Sequence, residues 1–316
     1  MQARIDRIES IIHRDVGRGM ERIFQATRGG LWDAARTLAA TERPRIGLIT
    51  GFFVPGGRPP AAETDGPAGA ALLARTFDSL GLTCRLATDE DCRSACEAAL
   101  QAAGAVSVPV DSIRPHEDPA ALAARWQAAG LDCVIAIERC GPGIDGAFRN
   151  MRGVDISAHA ARLDHLFRGG AWRTVAVGDG GNELGMGSLP PGLVAGDVPL
   201  GPLIGCIVPA DCLVTAGVSH WGAYALLAAL AVLRPDWALA ALESLDPTLD
   251  YAVVEAMVRD GPAVDGVSLN RSVTIDAQVM AVHHGVLAGI RDAMQPELDL
   301  PDREPGSRSH SIGNST

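Results

Sequence analysis

The stretch 174–187, TVAVGDGGNELGMG, sets five glycines around Asp179, Asn182 and Glu183 directly after a short apolar run. Glycine at this density permits backbone angles that other residues resist and lets a ligand approach the main chain. Two carboxylates four residues apart, beside the free amides of a helix starting near Asn182, can hold a cation or orient a small anion. The same residues also suit a tight strand-to-helix connection in which Asp179 and Glu183 only cap and shape the loop. Similar clusters recur along the chain. Glu63, Thr64 and Asp65 stand before Gly66 and Pro67, where Pro suits the first turn of a helix. Glu138 and Arg139 follow another apolar run at once. The glycine-rich loop 141–157 carries Asn150, Arg152 and Asp155, and Ser219 and His220 open the most apolar segment. A loop of that length inside a compact domain is usually functional or disordered, and its Phe148, Met151 and Val154 speak against disorder.

Composition removes whole classes of chemistry. All 27 basic residues are arginine, for the chain contains no lysine. No internal aldimine with pyridoxal phosphate, no Schiff-base chemistry and no phosphate-loop lysine are available, so neither PLP nor a nucleotide is expected. A net charge of -11 argues against nucleic acid or anionic membrane as the main partner. The longest apolar run, 222–233, falls short of the roughly 20 residues a membrane helix needs. The opening MQARIDRIES is charged where a secretory leader is apolar, which predicts a cytoplasmic protein. Seven scattered cysteines read as buried free thiols, because Cys92 and Cys96 have no partner ligands at zinc-site spacing. A homo-oligomer is compatible with all of this.

The elements that must position these residues alternate in a βαβ rhythm. Near-continuous apolar runs at 45–49, 83–87, 105–110, 133–137, 174–177, 203–208 and 213–216 predict strands, and helices are expected over 68–80, 89–103, 118–129, 158–167, 222–233, 247–258 and 275–294. This pattern predicts an α/β fold: a doubly wound, mostly parallel sheet with helices on both faces. Residues 1–44 read as an N-terminal helical segment, broken at Gly17 and Gly19, that packs on a catalytic domain over 45–294. The Pro-, Asp- and Ser-rich stretch 295–316 reads as a disordered tail.

In a parallel sheet, ligands bind beyond the carboxyl ends of the strands. Thr50 and Gly51, Glu138 and Arg139, the loop from Gly178 to Glu183, and Asp211 all begin where an apolar run stops, so their side chains can meet in one crevice. Several carboxylates, an arginine and a glycine-rich nest suit a hard divalent cation, Mn²⁺ or Mg²⁺, and a small anionic substrate.

The motifs TGFFVP, PPAAETDGPAGA, IERCG, NMRGVDIS, GDGGNELGMG, PADCLVTAGVSHWGAYAL and DGVSLNRSV occur in this order along the chain. Together they resemble the D-glutamate cyclase C-terminal domain family over nearly everything but the tail. The resemblance implies metal-assisted conversion of D-glutamate into 5-oxo-D-proline and water, with Mn²⁺ favoured. For that chemistry Asp179 and Glu183, with Asp65, are the candidate metal ligands, capping being the competing role for each, and Glu138 is the candidate proton acceptor and donor, with Asp65 and Asp179 beside it in the catalytic group. Arg139 or Arg152 would clamp the α-carboxylate, and Thr50, Glu63, Thr64, Asn150, Asn182 and Ser219 would bind and orient the substrate. His220 stands where the family pattern more often has Asn, which argues against an essential base there. Two other functions remain open: another metal-dependent lyase or hydrolase acting on a small amino-dicarboxylate, and a non-catalytic amino-acid sensor.

Overall fold

The computed structural model describes residues 1–295, so the expectation for the tail lies outside the described residues apart from its first position. In chain order the elements are α1 (Gln2–Ile12), α2 (Glu21–Ala26), α3 (Gly30–Ala39), β1 (Ile46–Ile49), β2 (Phe53–Val54), β3 (Ala61–Ala62), α4 (Pro67–Ser79), β4 (Cys84–Asp89), α5 (Arg93–Ala103), β5 (Val110–Ile113), α6 (Ala120–Ala128), β6 (Cys133–Ile137), α7 (Leu163–Phe167) and β7 (Arg173–Gly178). There follow α8 (Leu193–Asp197), α9 (Gly201–Ile204), β8 (Cys212–Thr215), α10 (Ser219–Leu233), α11 (Ala238–Ser244), α12 (Pro247–Arg259), β9 (Thr274–Ile275), β10 (Gln278–Val279) and α13 (Met280–Met294).

Six strands form one all-parallel sheet in the order β5-β4-β1-β6-β7-β8. Alternation along each strand divides the core in two. Leu48, Ile135 and Val175 join the layer built by α1, α3, α4, α5, α10, α12 and α13, while Ile49, Val134 and Ala176 join the layer of α2, α6 and α7. Burial on both faces explains why the strands read as continuous apolar runs rather than alternating ones. The helix α10 is apolar all round because it lies wholly inside, with its residues from Ser219 to Val232 buried. The N-terminal helices α1 and α3 bury Ile5, Ile8, Leu31 and Leu38 in the same core.

The strand order reverses direction between β1 and β6, and this is where crevices open at the carboxyl edge of doubly wound sheets. The order locates a site and says nothing of its chemistry.

Five expected elements differ. No helix starts near Asn182: residues 179–192 run as turns and isolated bridges, and the next helix is α8. The strand placed at 105–110 forms at Val110–Ile113, because Gly104 caps α5 in the left-handed region and the chain folds back before it can pair. Residues 203–208 make no strand: the segment ends α9 and then runs as an irregular chain, with Leu203 and Ile207 exposed. The helix expected over 158–167 is confined to Leu163–Phe167. The last helix starts at Met280 because the residues before it form the β9–β10 hairpin.

Candidate active site

A cavity of about 200 Å³ lies at the switch point, and its lining includes Glu63, Glu138, Asn150, Arg152, Asp179, Asn182 and, from the two ends of the chain, Arg18 and Asp276. The first residues after β6 and β7 bring Glu138 and Asp179 to its floor. Glu138 adopts a left-handed backbone with φ 44°, a conformation that costs a non-glycine residue and is held by its neighbours. Its amide donates to the Val177 carbonyl, and Ser219 Oγ donates to its Oε2. Ser219 is the first residue of α10, and its amide donates to Asp179 Oδ2 at 2.8 Å. Asp179 therefore does cap a helix, but with one oxygen only. Its Oδ1 faces Arg18 Nη1 at 2.6 Å.

Asp65 enters from the turn before α4. Its Oδ1 accepts from the Gly66 amide, and its Oδ2 is buried without a partner. Gly66 has φ 72°, and a Cβ on it would lie 2.7 Å from Thr50 Oγ1 and 2.9 Å from Glu138 Cβ. Glycine is required there by both the angle and the approach. Asp65, Glu138 and Asp179 each offer a carboxylate oxygen, and these atoms lie within 4.8 Å of one another.

Arg18 joins this group to Asp276, whose Oδ2 is 2.8 Å from Arg18 Nη2. Both charges are presented by tight turns. Asp15 accepts from the amides of Gly17, Arg18 and Met20 in the break between α1 and α2. Asp276 and Ala277 form the hairpin turn with φ 53° and 59°, and Asp265 accepts from the Ala277 amide.

Burial is the leading cause of every carboxylate shift in the cavity. It pushes Glu63, Asp65 and Glu138 well above the usual carboxylate range, and neighbouring carboxylates add to the effect. Asp179 rises to about 6 and Asp276 to about 7, both through burial opposed by the Arg18 guanidinium.

A model of the family described as "D-glutamate cyclase-like, C-terminal" matches residues 8–291. The chain belongs to this D-glutamate cyclase-like family. A human relative named "D-glutamate cyclase, mitochondrial" is 32% identical over 211 residues, which is 62% of this chain and 34% of the relative. The chain thus spans about a third of that relative's length.

In this D-glutamate cyclase-like chain, the residues singled out in the sequence divide into two groups. Glu63, Glu138, Asn150, Arg152, Asp179 and Asn182 line the cavity, and Asp65 adjoins it through the carboxylate triad. Asn182 Oδ1 is buried without a partner, while its Nδ2 donates to the Arg149 carbonyl. Arg152 donates to the carbonyls of Gly266 and Val267 across the cavity. Five others act from behind. Thr50 Oγ1 donates to the Ile137 carbonyl and Thr64 Oγ1 to the Thr274 carbonyl, so they brace β6 and the hairpin. Ser219 braces Glu138 and Asp179 as above. Glu183 Oε2 accepts from the Gly181 amide at 2.8 Å, its Oε1 is buried without a partner, and it is not one of the three clustered carboxylates. Arg139 is not brought into the cavity: it is buried against Asp89 and also donates to the carbonyls of Gly51 and Ala161. His220 likewise faces away, 2.7 Å from Asp250.

Arg18 and Asp276 escaped the sequence reading. The run DVGRG did carry a signal, since glycines on both sides of an arginine interrupt a helix that has no other reason to stop. Asp276 carried little, because two-residue turns of this hand are signalled by Asn-Gly or Asp-Gly and here Ala277 stands where the glycine is expected.

Proposed function

We propose that this chain cyclises D-glutamate to 5-oxo-D-proline and water with the help of a divalent cation. The observation that carries the reading is the triad of Asp65, Glu138 and Asp179 at the switch-point cavity, flanked by Arg18 and Arg152. Family membership and the name of the human relative point the same way. The cavity is smaller than the roughly 300–1,000 Å³ of sites for drug-sized ligands, which suits a metabolite of glutamate's size.

The donor set fits Mn²⁺ or Mg²⁺, both of which take hard oxygen ligands, and the unpartnered Asp65 Oδ2 supplies one. Asp65 and Asp179 would hold the ion, whose chemistry when bound is that of a Lewis acid on the γ-carboxylate. The remaining work falls to the protein. The ring closes when the substrate nitrogen attacks the γ-carbon, so the chain must be held folded; such placement is worth roughly 10⁵ M or more in effective concentration. Two protons leave the ammonium and one oxygen leaves the γ-carboxylate, and together they make the water. Glu138, which lines the cavity and is fixed by Ser219 Oγ, passes protons from nitrogen to the departing oxygen. Arg152, at the cavity wall, meets the α-carboxylate with the guanidinium hydrogens left over from its bonds to the Gly266 and Val267 carbonyls; Arg139 is unsuited because it lies outside the cavity, buried against Asp89.

The test is incubation with D-glutamate or L-glutamate, each with Mn²⁺ or with EDTA, followed by chromatography for 5-oxoproline. Product from D-glutamate with Mn²⁺, and little with EDTA, is expected. No product from either enantiomer sinks the reading.

A further inference from the structure

The carboxylates of the cavity are more numerous than a metal site needs, and they fall on two sides of Arg18. Asp179, with Asp65 and Glu138, lies on one side. Asp276 lies on the other, and Glu63 also lines the cavity with Oε1 buried and unpartnered. Glu63 is 8% exposed and its side chain makes no hydrogen bond among the described residues, with Oε1 fully enclosed, a costly arrangement for a buried carboxyl unless something else meets it. The structure leaves deliberate room for it. A Cβ on Gly266 would lie 2.1 Å from Glu63 Oε2, so only glycine at that position lets the carboxyl lie where it does. Asp276 is likewise held in place, by a left-handed turn that Asp265 fixes from behind through the Ala277 amide.

We infer that Glu63 and Asp276 form a subsite for the primary ammonium of an α-amino dicarboxylate, with Asp276 held in place by its ion pair with Arg18. This rests on the cyclase reading for the identity of the substrate, but the preference for an ammonium-bearing ligand is a separate property. A compact ammonium has three donors to distribute, and two carboxyls that the protein leaves without sufficient donors are its natural acceptors. The subsite also explains how an acidic cavity admits an anionic substrate. The ammonium end meets Glu63 and Asp276, and the carboxylates meet the arginines and the cation side.

The experiment compares D-glutamate and L-glutamate with glutarate, which has the same two carboxylates and no nitrogen, by calorimetry in the presence of Mn²⁺. The wild-type protein is expected to bind one glutamate enantiomer at least tenfold more tightly than glutarate. Glu63→Gln, which breaks no hydrogen bond among the described residues, and Asp276→Asn should each weaken glutamate binding tenfold or more while glutarate changes less than threefold. Retained glutarate binding shows that a variant is folded and its site intact. Glutarate binding as tight as either glutamate in the wild type, or equal losses for both ligands in both variants, overturns the subsite. Absence of 5-oxoproline with the ammonium preference intact would instead count against the cyclase reading alone.

Discussion

At the level of single residues, the carboxylates of the triad separate by what else they touch. Asp65 keeps one oxygen unpartnered for a cation, whereas both oxygens of Asp179 are engaged, by the Ser219 amide and by Arg18, so Asp179 would have to share one of them with the metal. Glu138 is steadied by a hydroxyl and by its own constrained backbone. Glu138→Gln should therefore lower kcat for D-glutamate by about 10²–10⁴-fold, the usual worth of a positioned proton-transfer group, while Mn²⁺ still raises the melting temperature. Asp65→Asn and Asp179→Asn should abolish that thermal shift together with turnover. A Glu138→Gln protein that keeps the wild-type rate removes Glu138 from the chemistry. Arg139 leads to a different expectation. It shares a buried ion pair with Asp89, so Arg139→Ala leaves an uncompensated charge and should cost about 3–5 kcal/mol of stability, read from urea unfolding. Loss of substrate affinity without loss of stability would return Arg139 to the role the sequence first assigned it. The sequence could place Glu138 and Arg139 side by side at a strand end, but not on opposite sides of the chain. The side-chain directions depend on Glu138 taking a left-handed backbone, which no propensity predicts.

At the level of elements, the packing of α10 against α13 sets a pH dependence. Trp221 Nε1 donates to His283 Nδ1 at 2.9 Å, and His283 Nε2 faces the carbonyls of Ile275 and Gln278. Burial pushes the His283 pKa down to about 4, and a proton on Nδ1 would also displace the Trp221 donor. Because the folded pKa lies below the unfolded one, the contribution is fully present above the unfolded value near 6.5. It is lost as pH falls toward about 4, since the unfolded chain then binds the proton more readily. At roughly 1.4 kcal/mol per pKa unit, the loss across this window is on the order of 3 kcal/mol. The buried carboxylates, with raised pKa values, work in the opposite direction, so the variant must be compared with the wild type. The fall in urea-unfolding stability from pH 7 to 4.5 should be smaller in His283→Asn, and equal falls would refute the assignment. These helices were legible as apolar segments, but their limits were not. The α10 helix starts at Ser219 because Asp179, forty residues away in sequence, accepts from its first amide. The hairpin before α13 was hidden because Ala277 stands where a turn of this hand is expected to have glycine.

At the level of the whole molecule, the parallel sheet and the crevice at its carboxyl edge were readable from apolar runs that end in polar clusters. What closes the crevice was not, because Arg18 and Asp276 belong to opposite ends of the chain and meet only when α1 and α13 pack together on α10. Arg18 is the cation that the sheet itself does not supply to its buried carboxylates. Removing it has two consequences that differ in sign. Arg18→Gln leaves Asp179 and Asp276 without their ion pairs, so the metal-free protein should melt at a lower temperature than the wild type. The same change removes a positive charge 2.6 Å from Asp179, and with it the repulsion that a divalent cation meets on entering the triad. Mn²⁺ should then stabilise the variant more than the wild type, because the stabilisation a ligand gives rises, logarithmically, with its affinity for the folded state. Thermal unfolding of both proteins with and without Mn²⁺ reads this directly. A Mn²⁺ shift that is no larger in Arg18→Gln would mean that the cation binds away from Arg18, and Asp65 and Asp179 would lose their claim to the metal.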